Sequence, residues 1–177
     1  MKTKFFISYY VYMRYVFIDQ TLNQSKLFHD SVNKDNDIHP FYIHELNDLS
    51  LEQVDSVCFV SHGYPKILND EEVWKKMQMV TPFVDLLGCS VEKLMKLKLD
   101  QLEEAYSPLK IRASDNLTGE ESGGDWILER SQDNINAKTL YFIDNISEFK
   151  GFLNSDKIWL SITSSADGTK LAAVDYG

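Results

Sequence analysis

Short, continuous apolar runs recur along the chain, and they predict the strands of a buried sheet. Runs of about five apolar residues are typical of strands covered on both faces, as in a parallel sheet. Strands are predicted in this way at 15–19, 38–46, 57–61, 83–87 and 109–113. Because proline cannot donate to a strand ladder, Pro40 predicts that the second strand lies at an edge or begins late.

Amphipathic segments fill the intervals between these runs. The strongest helix prediction extends from Val91 to Tyr106, and Pro108 follows it. Its apolar positions are Val91, Leu94, Met95, Leu99, Leu102 and Tyr106. Shorter helices are predicted at 21–29, at 50–54 with Ser50 as cap, and at 70–79 with Asp70 as cap. Strands that alternate with helices predict an α/β fold with a doubly wound sheet.

The amino-acid composition changes after Thr118, where Gly, Ser and Asn become frequent. Two further short strands are predicted near 126–129 and 139–143, followed by a small helix near 146–153. Asp125 and Trp126 are expected to anchor a hairpin.

Length and charge restrict the function classes. The chain has 177 residues, which suits one domain with a short remainder. Its net charge of −9 repels polyphosphate, so nucleic acid is a poor candidate partner. No stretch reaches the roughly 18 apolar residues that a membrane span needs. The two cysteines, Cys58 and Cys89, do not make a disulfide framework.

Two neighbouring predicted strands end in residues that can carry chemistry. His62-Gly63 closes the 57–61 strand, and Gly88-Cys89 closes the 83–87 strand. Ligands and reactive groups in open α/β sheets gather at the carboxyl ends of strands. A thiol and an imidazole within reach of each other form a nucleophile and its base, and the amides of Gly63 and Cys89 are candidate oxyanion donors. A helix that begins at Cys89 would favour its thiolate.

A structural interpretation of the same residues stays open. A lone cysteine after a strand is usually a small buried apolar residue, and a lone histidine is usually held by a hydrogen bond. Cys58, in the middle of a strand, illustrates this case and is predicted to lie in the core.

A longer series of segments resembles a known family. The series comprises Tyr15–Asp19, Val60–Gly63, Asp85–Cys89, Ala113–Gly119 and Gly123–Glu129. In this order the segments resemble the domain of unknown function 4347 family, which is similar to clan CD, or caspase-like, cysteine peptidases. The resemblance covers roughly residues 15–153, and Ser-Asp-Asn-Leu-Thr-Gly and Gly-Gly-Asp-Trp are its most distinctive parts.

The resemblance implies a caspase-like three-layer α/β/α sandwich with a mostly parallel sheet. It implies that His62 is the general base and Cys89 the nucleophile. In that family the domain often opens very large bacterial surface or secreted repeat proteins. The chain departs from the family in two places, since the interval from His62 to Cys89 is short and Tyr64-Pro65-Lys66 replaces a Gly-Ser-Pro-like turn.

Ser114 and Asp115 follow the fifth predicted strand and are candidate substrate-binding residues. Asp115 can select a basic substrate side chain by its charge. The alternative is a cap or an Asx turn that orders the loop before Gly119. No cofactor is expected, because the chain has no Walker or dinucleotide fingerprint. No metal is expected either, since His29, His39 and His44 lack ligand spacing.

The two ends of the chain are predicted to lie outside the α/β domain of residues 15–153. Residues 1–14 are read as a tail or an extra strand, and no convincing signal peptide is found there. Residues 154–177 are read as a linker and a β-hairpin that resembles the start of a sialidase-type (BNR-like) β-propeller repeat, with its turn at 166–169. One such unit cannot bury its faces alone, so the chain is expected to be part of a longer protein. The family resemblance implies that this protein is secreted or at the cell surface.

These observations lead to one functional hypothesis and two rivals. The hypothesis is a cysteine endopeptidase that acts on polypeptide, including its own parent chain. The first rival is a non-catalytic folded cap or adhesion module of a large surface protein. The second is another acyl transfer at the same pair, such as ligation.

Overall fold

The computed structural model describes residues 13–63, 65–131 and 133–153, together with the backbone of two later strands. The central strands are β1 (Arg14–Ile18), β2 (Ile38–Tyr42), β3 (Ser56–Val60), β4 (Phe83–Leu87) and β5 (Lys110–Ala113). The helices are α1 (Ser25–Ser31), α2 (Glu71–Val80), α3 (Val91–Ala105) and α4 (Ala137–Tyr141). The remaining strands are β6 (Leu117–Thr118), β7 (Gly124–Asp125), β8 (Ile127–Leu128), β9 (Ile135–Asn136), β10 (Trp159–Ser164) and β11 (Leu171–Asp175).

The five long strands form one parallel sheet in the order β2-β1-β3-β4-β5. The chain therefore adds strands first on one side of β1 and then on the other. In doubly wound sheets, the place where this direction reverses leaves a crevice at the carboxyl ends of the two strands concerned. Here the crevice lies between the ends of β1 and β3.

Helices cover both faces of the sheet, as its apolar strands require. On one face, α2 and α3 bury side chains such as Trp74, Met77 and Leu99. On the other, α1 and α4 contribute Phe28 and Tyr141. All five residues of β3 are buried, as expected for a strand covered on both sides. The predicted α/β class and parallel sheet are thus confirmed.

A hydrogen-bonded network of charged and polar side chains lies on the face of the sheet that α4 covers, and it links β3, β4 and β5. Asp85 of β4 is fully buried and accepts two hydrogen bonds from Arg112 of β5, one of them at 2.7 Å from Nη2 to Oδ2. The Tyr141 hydroxyl of α4 donates to the same carboxylate and lies 2.7 Å from the Ser56 Oγ of β3. This network joins three strands to α4 through a single buried carboxylate.

At both edge strands of the sheet, β2 and β5, some backbone positions are not free to pair with another strand. β2 lies at one edge, as predicted from Pro40, which has no N–H at the middle of that strand. At the other edge, the Ile111 amide of β5 donates to Oε1 of Glu103 at 2.7 Å. The Ala113 carbonyl accepts from the Arg130 amide at 3.0 Å. Side chain and loop thus occupy positions that another strand would use.

The structure corrects several predictions of secondary structure. The predicted strand 38–46 ends at Tyr42, and Ile43–Glu45 form a 3-10 turn. Residues 50–54 form no helix, because the Val54 amide bonds to the Val80 carbonyl instead of to its own segment. The stretch 139–143 lies mostly in α4, which the Asn136 side chain caps through the Thr139 amide. The helix near 146–153 is only a 3-10 turn over Asp144–Glu148, followed by an extended segment.

One predicted core position and the predictions for the two chain ends can also be compared with the structure. Leu94 of α3 is 55% exposed and does not belong to the buried face. β10 and β11 pair antiparallel as a separate two-stranded sheet, as the hairpin prediction requires, although its turn at 166–169 lies outside the described residues. Residues 1–12 also lie outside them. No helix in the described part of the chain is both long and apolar enough to cross a membrane.

Candidate active site

His62 and Cys89 lie at the carboxyl ends of adjacent parallel strands. β3 pairs with β4 in register from Val57 with Val84 to Val60 with Leu87. The ladder continues for one bond beyond β3, from the Ser61 amide to the Leu87 carbonyl at 3.0 Å. Each residue of the pair comes two positions after its strand ends. The register therefore brings both segments together at the carboxyl ends of the strands.

Two glycines allow these segments to touch. A Cβ atom at Gly88 would lie 2.8 Å from the Ser61 carbonyl oxygen and 3.0 Å from that of His62. A Cβ atom at Gly63 would overlap the carbonyl oxygen of Cys89. The close approach therefore depends on the absence of a side chain at both positions.

The Cys89 sulfur is enclosed by the backbone of Thr118. Cys89 is only 6% exposed, and its thiol lies 3.7 Å from the Thr118 carbonyl oxygen, which accepts from it. The Thr118 amide donates to the sulfur at 3.3 Å. Burial raises the pKa of this thiol, although the Thr118 amide opposes the rise. The expected activation by a helix that begins at Cys89 is wrong, because α3 begins at Val91 and burial dominates the pKa.

His62 is half-buried, and its side chain is not hydrogen-bonded to Cys89. Its Nδ1 atom is buried and has no hydrogen-bond partner within the described residues. This nitrogen is therefore a buried polar atom whose hydrogen-bonding capacity is not satisfied by the described residues.

His62 is one of the residues that line a cavity of about 100 Å³. The loop after β1 supplies one wall through Leu22, Asn23 and Gln24, and residues 149–153 supply another. This places the cavity at the crevice between the ends of β1 and β3, where ligands of doubly wound sheets bind. A cavity of this size has room for a few water molecules.

The two expected oxyanion donors differ in their surroundings. The Cys89 amide is not free, because it donates to the Leu153 carbonyl at 3.2 Å. Gly63 is buried beside the Cys89 carbonyl. An added substrate can use the Cys89 amide only when the Leu153 carbonyl leaves it.

Ser114 and Asp115 lie in the neighbouring loop and do not line the cavity beside His62. Ser114 is fully buried, and its Oγ bonds to the carbonyl and side chain of Asn116. Asp115 is exposed, and its amide donates to Oε2 of Glu129 at 2.9 Å. This geometry matches the alternative in which the two residues order the loop. Asp125 supports the same loop, since its Oδ2 accepts from the Asn116 side chain at 3.0 Å.

Two residues of the site were not predicted from the sequence, namely Thr118 and Leu153. Both contact Cys89 through backbone groups, which every residue has, although the Thr118 hydroxyl also donates to the Gly88 carbonyl at 3.3 Å. The glycines of the two distinctive motifs, Gly119 and Gly124, were the available clue, because glycine within an irregular stretch indicates a close backbone approach.

Within the described ranges, no group of three or more His, Cys, Asp or Glu residues is arranged to hold a metal ion. Comparison with protein-family models, with curated protein sequences and with solved structures found no match to this chain.

Proposed function

We propose that residues 15–153 form a caspase-like cysteine endopeptidase in which Cys89 is the nucleophile and His62 the general base. The observation that supports this most strongly is the contact between their backbone segments at the carboxyl ends of β3 and β4. A thiol and an imidazole that follow the carboxyl ends of neighbouring strands suit acyl transfer. The adjacent cavity lies where the strand order of the sheet reverses, which is where ligands of such sheets bind.

The chemistry assigns a separate role to each group. His62 takes the thiol proton, and the Cys89 sulfur attacks the carbonyl carbon of a peptide. The amides of Gly63 and Cys89 stabilise the negative charge on the carbonyl oxygen. His62 then protonates the departing amine, and water cleaves the resulting thioester with the same histidine as base.

The proposed substrate is polypeptide, and the nearest polypeptide is the parent chain itself. The resemblance to the domain of unknown function 4347 family supports a bacterial secreted or cell-surface parent protein, and the resemblance of the β10–β11 segment to a propeller repeat agrees with a longer parent. A tethered site raises its effective concentration to about the millimolar range.

A non-catalytic role is the second candidate, and one observation favours it. The Cys89 thiol is nearly buried, and burial raises its pKa, whereas reactive cysteines are usually exposed with a lowered pKa. A folded cap or adhesion module would keep the sheet and bury this thiol as a small apolar group.

A peptide-library assay separates the two candidates. The purified full chain is incubated with internally quenched peptides that vary on both sides of the scissile bond. We expect turnover that Cys89→Ala abolishes and that His62→Ala lowers by about a hundredfold or more. Cys58→Ala is the matched control and should retain turnover if circular dichroism shows that it is folded. Turnover that persists in Cys89→Ala, or none in any form, would contradict the proposal.

A further inference from the structure

The segment Lys150–Leu153, called the covering segment below, lies against both members of the proposed pair. Its residues border the cavity beside His62. At its end, the Leu153 carbonyl accepts from the Cys89 amide. The Gln24 side chain holds its beginning, donating to the Lys150 carbonyl at 3.0 Å.

Leu153 is bound through its backbone on two sides. Its amide donates to the Thr118 carbonyl at 2.8 Å, and its carbonyl lies 3.2 Å from the Cys89 nitrogen. The Thr118 backbone also contacts the Cys89 sulfur. The Leu153 amide and the Cys89 sulfur therefore share one acceptor, the Thr118 carbonyl.

One feature of this arrangement suits acyl transfer to Cys89, because the Leu153 carbonyl oxygen already accepts from the Cys89 amide. A nucleophile's own amide commonly helps to hold the oxygen of the carbonyl that is attacked. The Leu153 side chain is 1% exposed and packs in the apolar cluster that includes Leu87, so the carbonyl position is fixed by burial as well as by hydrogen bonds.

Gly119 and Gly124, from the two distinctive sequence motifs, allow the covering segment to pack closely against them. A Cβ atom at Gly119 would overlap the Gly151 carbonyl oxygen, and Gly119 forms an antiparallel bridge with Phe152. A Cβ atom at Gly124 would lie 2.6 Å from the Phe152 ring. Gly123, beside them, has φ +94° but no neighbour within 4 Å of such an atom. Two of the three glycines thus make room for the covering segment, and the third does not.

From these contacts we infer that the covering segment is the domain's own substrate and that Cys89 cleaves the peptide bond following Leu153. This inference rests on the proposed function. The thiol proton moves to His62, and a carbon–sulfur bond forms at the Leu153 carbonyl. The carbon–nitrogen bond after Leu153 then breaks, and the departing nitrogen takes the proton from His62.

Hydrolysis completes the reaction. A water molecule adds its hydroxyl to the Leu153 carbonyl carbon, the thioester breaks, and the remaining proton restores the thiol. The cavity beside His62 supplies room for this water. The products are a domain that ends in the Leu153 carboxylate and a fragment that carries β10 and β11.

The test maps the cleaved bond in the full chain. The purified chain and its Cys89→Ala variant are incubated overnight and measured by intact mass spectrometry. We expect a fragment ending at Leu153 from the unmodified chain and none from Cys89→Ala. Cys89-dependent turnover of added peptides without this fragment would overturn the inference and leave the proposed function standing. If no Cys89-dependent cleavage of any kind occurs, the proposed function fails and the inference fails with it.

A glycine pair tests the seating of the covering segment. Gly119→Ala should slow cleavage after Leu153 by about a hundredfold, because displacing a reacting group by about 1 Å has an effect of that size. Gly123→Ala strains the same loop without touching the segment, so its rate should stay within about threefold of the unmodified chain. Equal effects of the two variants would contradict the seating argument. Mapping the bond in the unmodified chain keeps the inference testable even if Gly119→Ala does not fold.

Discussion

The two cysteines provide an internal comparison at the scale of single residues. Cys58 lies within β3, where all side chains are buried, and burial raises its pKa well above the ordinary value. Cys89 lies two residues beyond the end of β4, in the loop before α3, where its sulfur bonds to Thr118 and its amide to Leu153. A loop can open without disrupting the sheet, so Cys89 is the more accessible of the two on the timescale of local opening.

We therefore expect iodoacetamide to label Cys89 faster than Cys58 in the folded chain. A timed reaction followed by peptide mass spectrometry gives both rates, and a sample unfolded in urea gives the reference rate for each thiol. Equal, slow labelling of both cysteines would favour the non-catalytic interpretation.

The pH dependence of Cys89 labelling follows from its raised pKa. At a given pH below that pKa, the folded chain holds less thiolate than an exposed cysteine would. The labelling rate should therefore be lower than that of the unfolded chain at neutral pH and rise about tenfold per pH unit until the pH exceeds the raised value. Rates measured across pH 6 to 10, with free cysteine as the control, check this. A plateau below the ordinary thiol range would show a lowered pKa and contradict the burial argument.

The site could be predicted only in part from its residues. The placement of His62 and Cys89 after adjacent strands was predictable because each follows a continuous apolar run. The contribution of Leu153 was not, since it comes from a peptide group that every residue has. Leu153 bonds to Thr118 and Cys89, which are distant in sequence. No local sequence pattern therefore predicts these contacts.

At the scale of elements, the apolar runs predicted the sheet well because burial on both faces determines it. α4 was predicted as a strand because Thr139 to Ile143 contains residues that favour strands. Its helical form serves tertiary contacts, in which Asn136 caps the first turn and Tyr141 reaches the buried carboxylate of Asp85. Propensity alone does not contain such contacts.

The buried network makes Asp85 a stability determinant. We expect Asp85→Ala to lower the free energy of unfolding by about 3–5 kcal/mol, because it leaves the Arg112 guanidinium without its partner. Replacing both residues by leucine should cost less than the single change. Urea titration measures these differences. Lys26→Ala, which removes an exposed pair with Asp30, is the control and should have no measurable effect. A loss in Asp85→Ala as small as in this control would contradict the argument.

The start of α2 gives a second prediction at this scale. Asp70 caps the helix, and its Oδ1 accepts from the amides of Glu72 and Val73. Asp70→Ala should lower the free energy of unfolding by about 1 kcal/mol, whereas Asp70→Asn should retain most of the capping. Urea titration of both variants distinguishes them, and an equal loss in both would mean that charge, not the cap, matters.

At the scale of the whole molecule, the five-stranded sheet and the β10–β11 sheet are separate hydrogen-bonded units. Removal of residues 157–177 should therefore change the melting temperature by less than about 3 °C, the shift that corresponds to roughly 1 kcal/mol in a domain of this size. Differential scanning calorimetry on the full and shortened chains makes the comparison. A large drop would mean that the hairpin is an integral part of the domain.

The modified edges of the sheet affect how molecules meet in solution. A bare edge offers a row of amides and carbonyls on which a neighbour can build. In this chain, Pro40 interrupts that row at β2, while Glu103 and Arg130 occupy positions along β5. Folded molecules thus meet edges that resist further strand addition, so filament growth from this sheet would first require one of those edges to be undone.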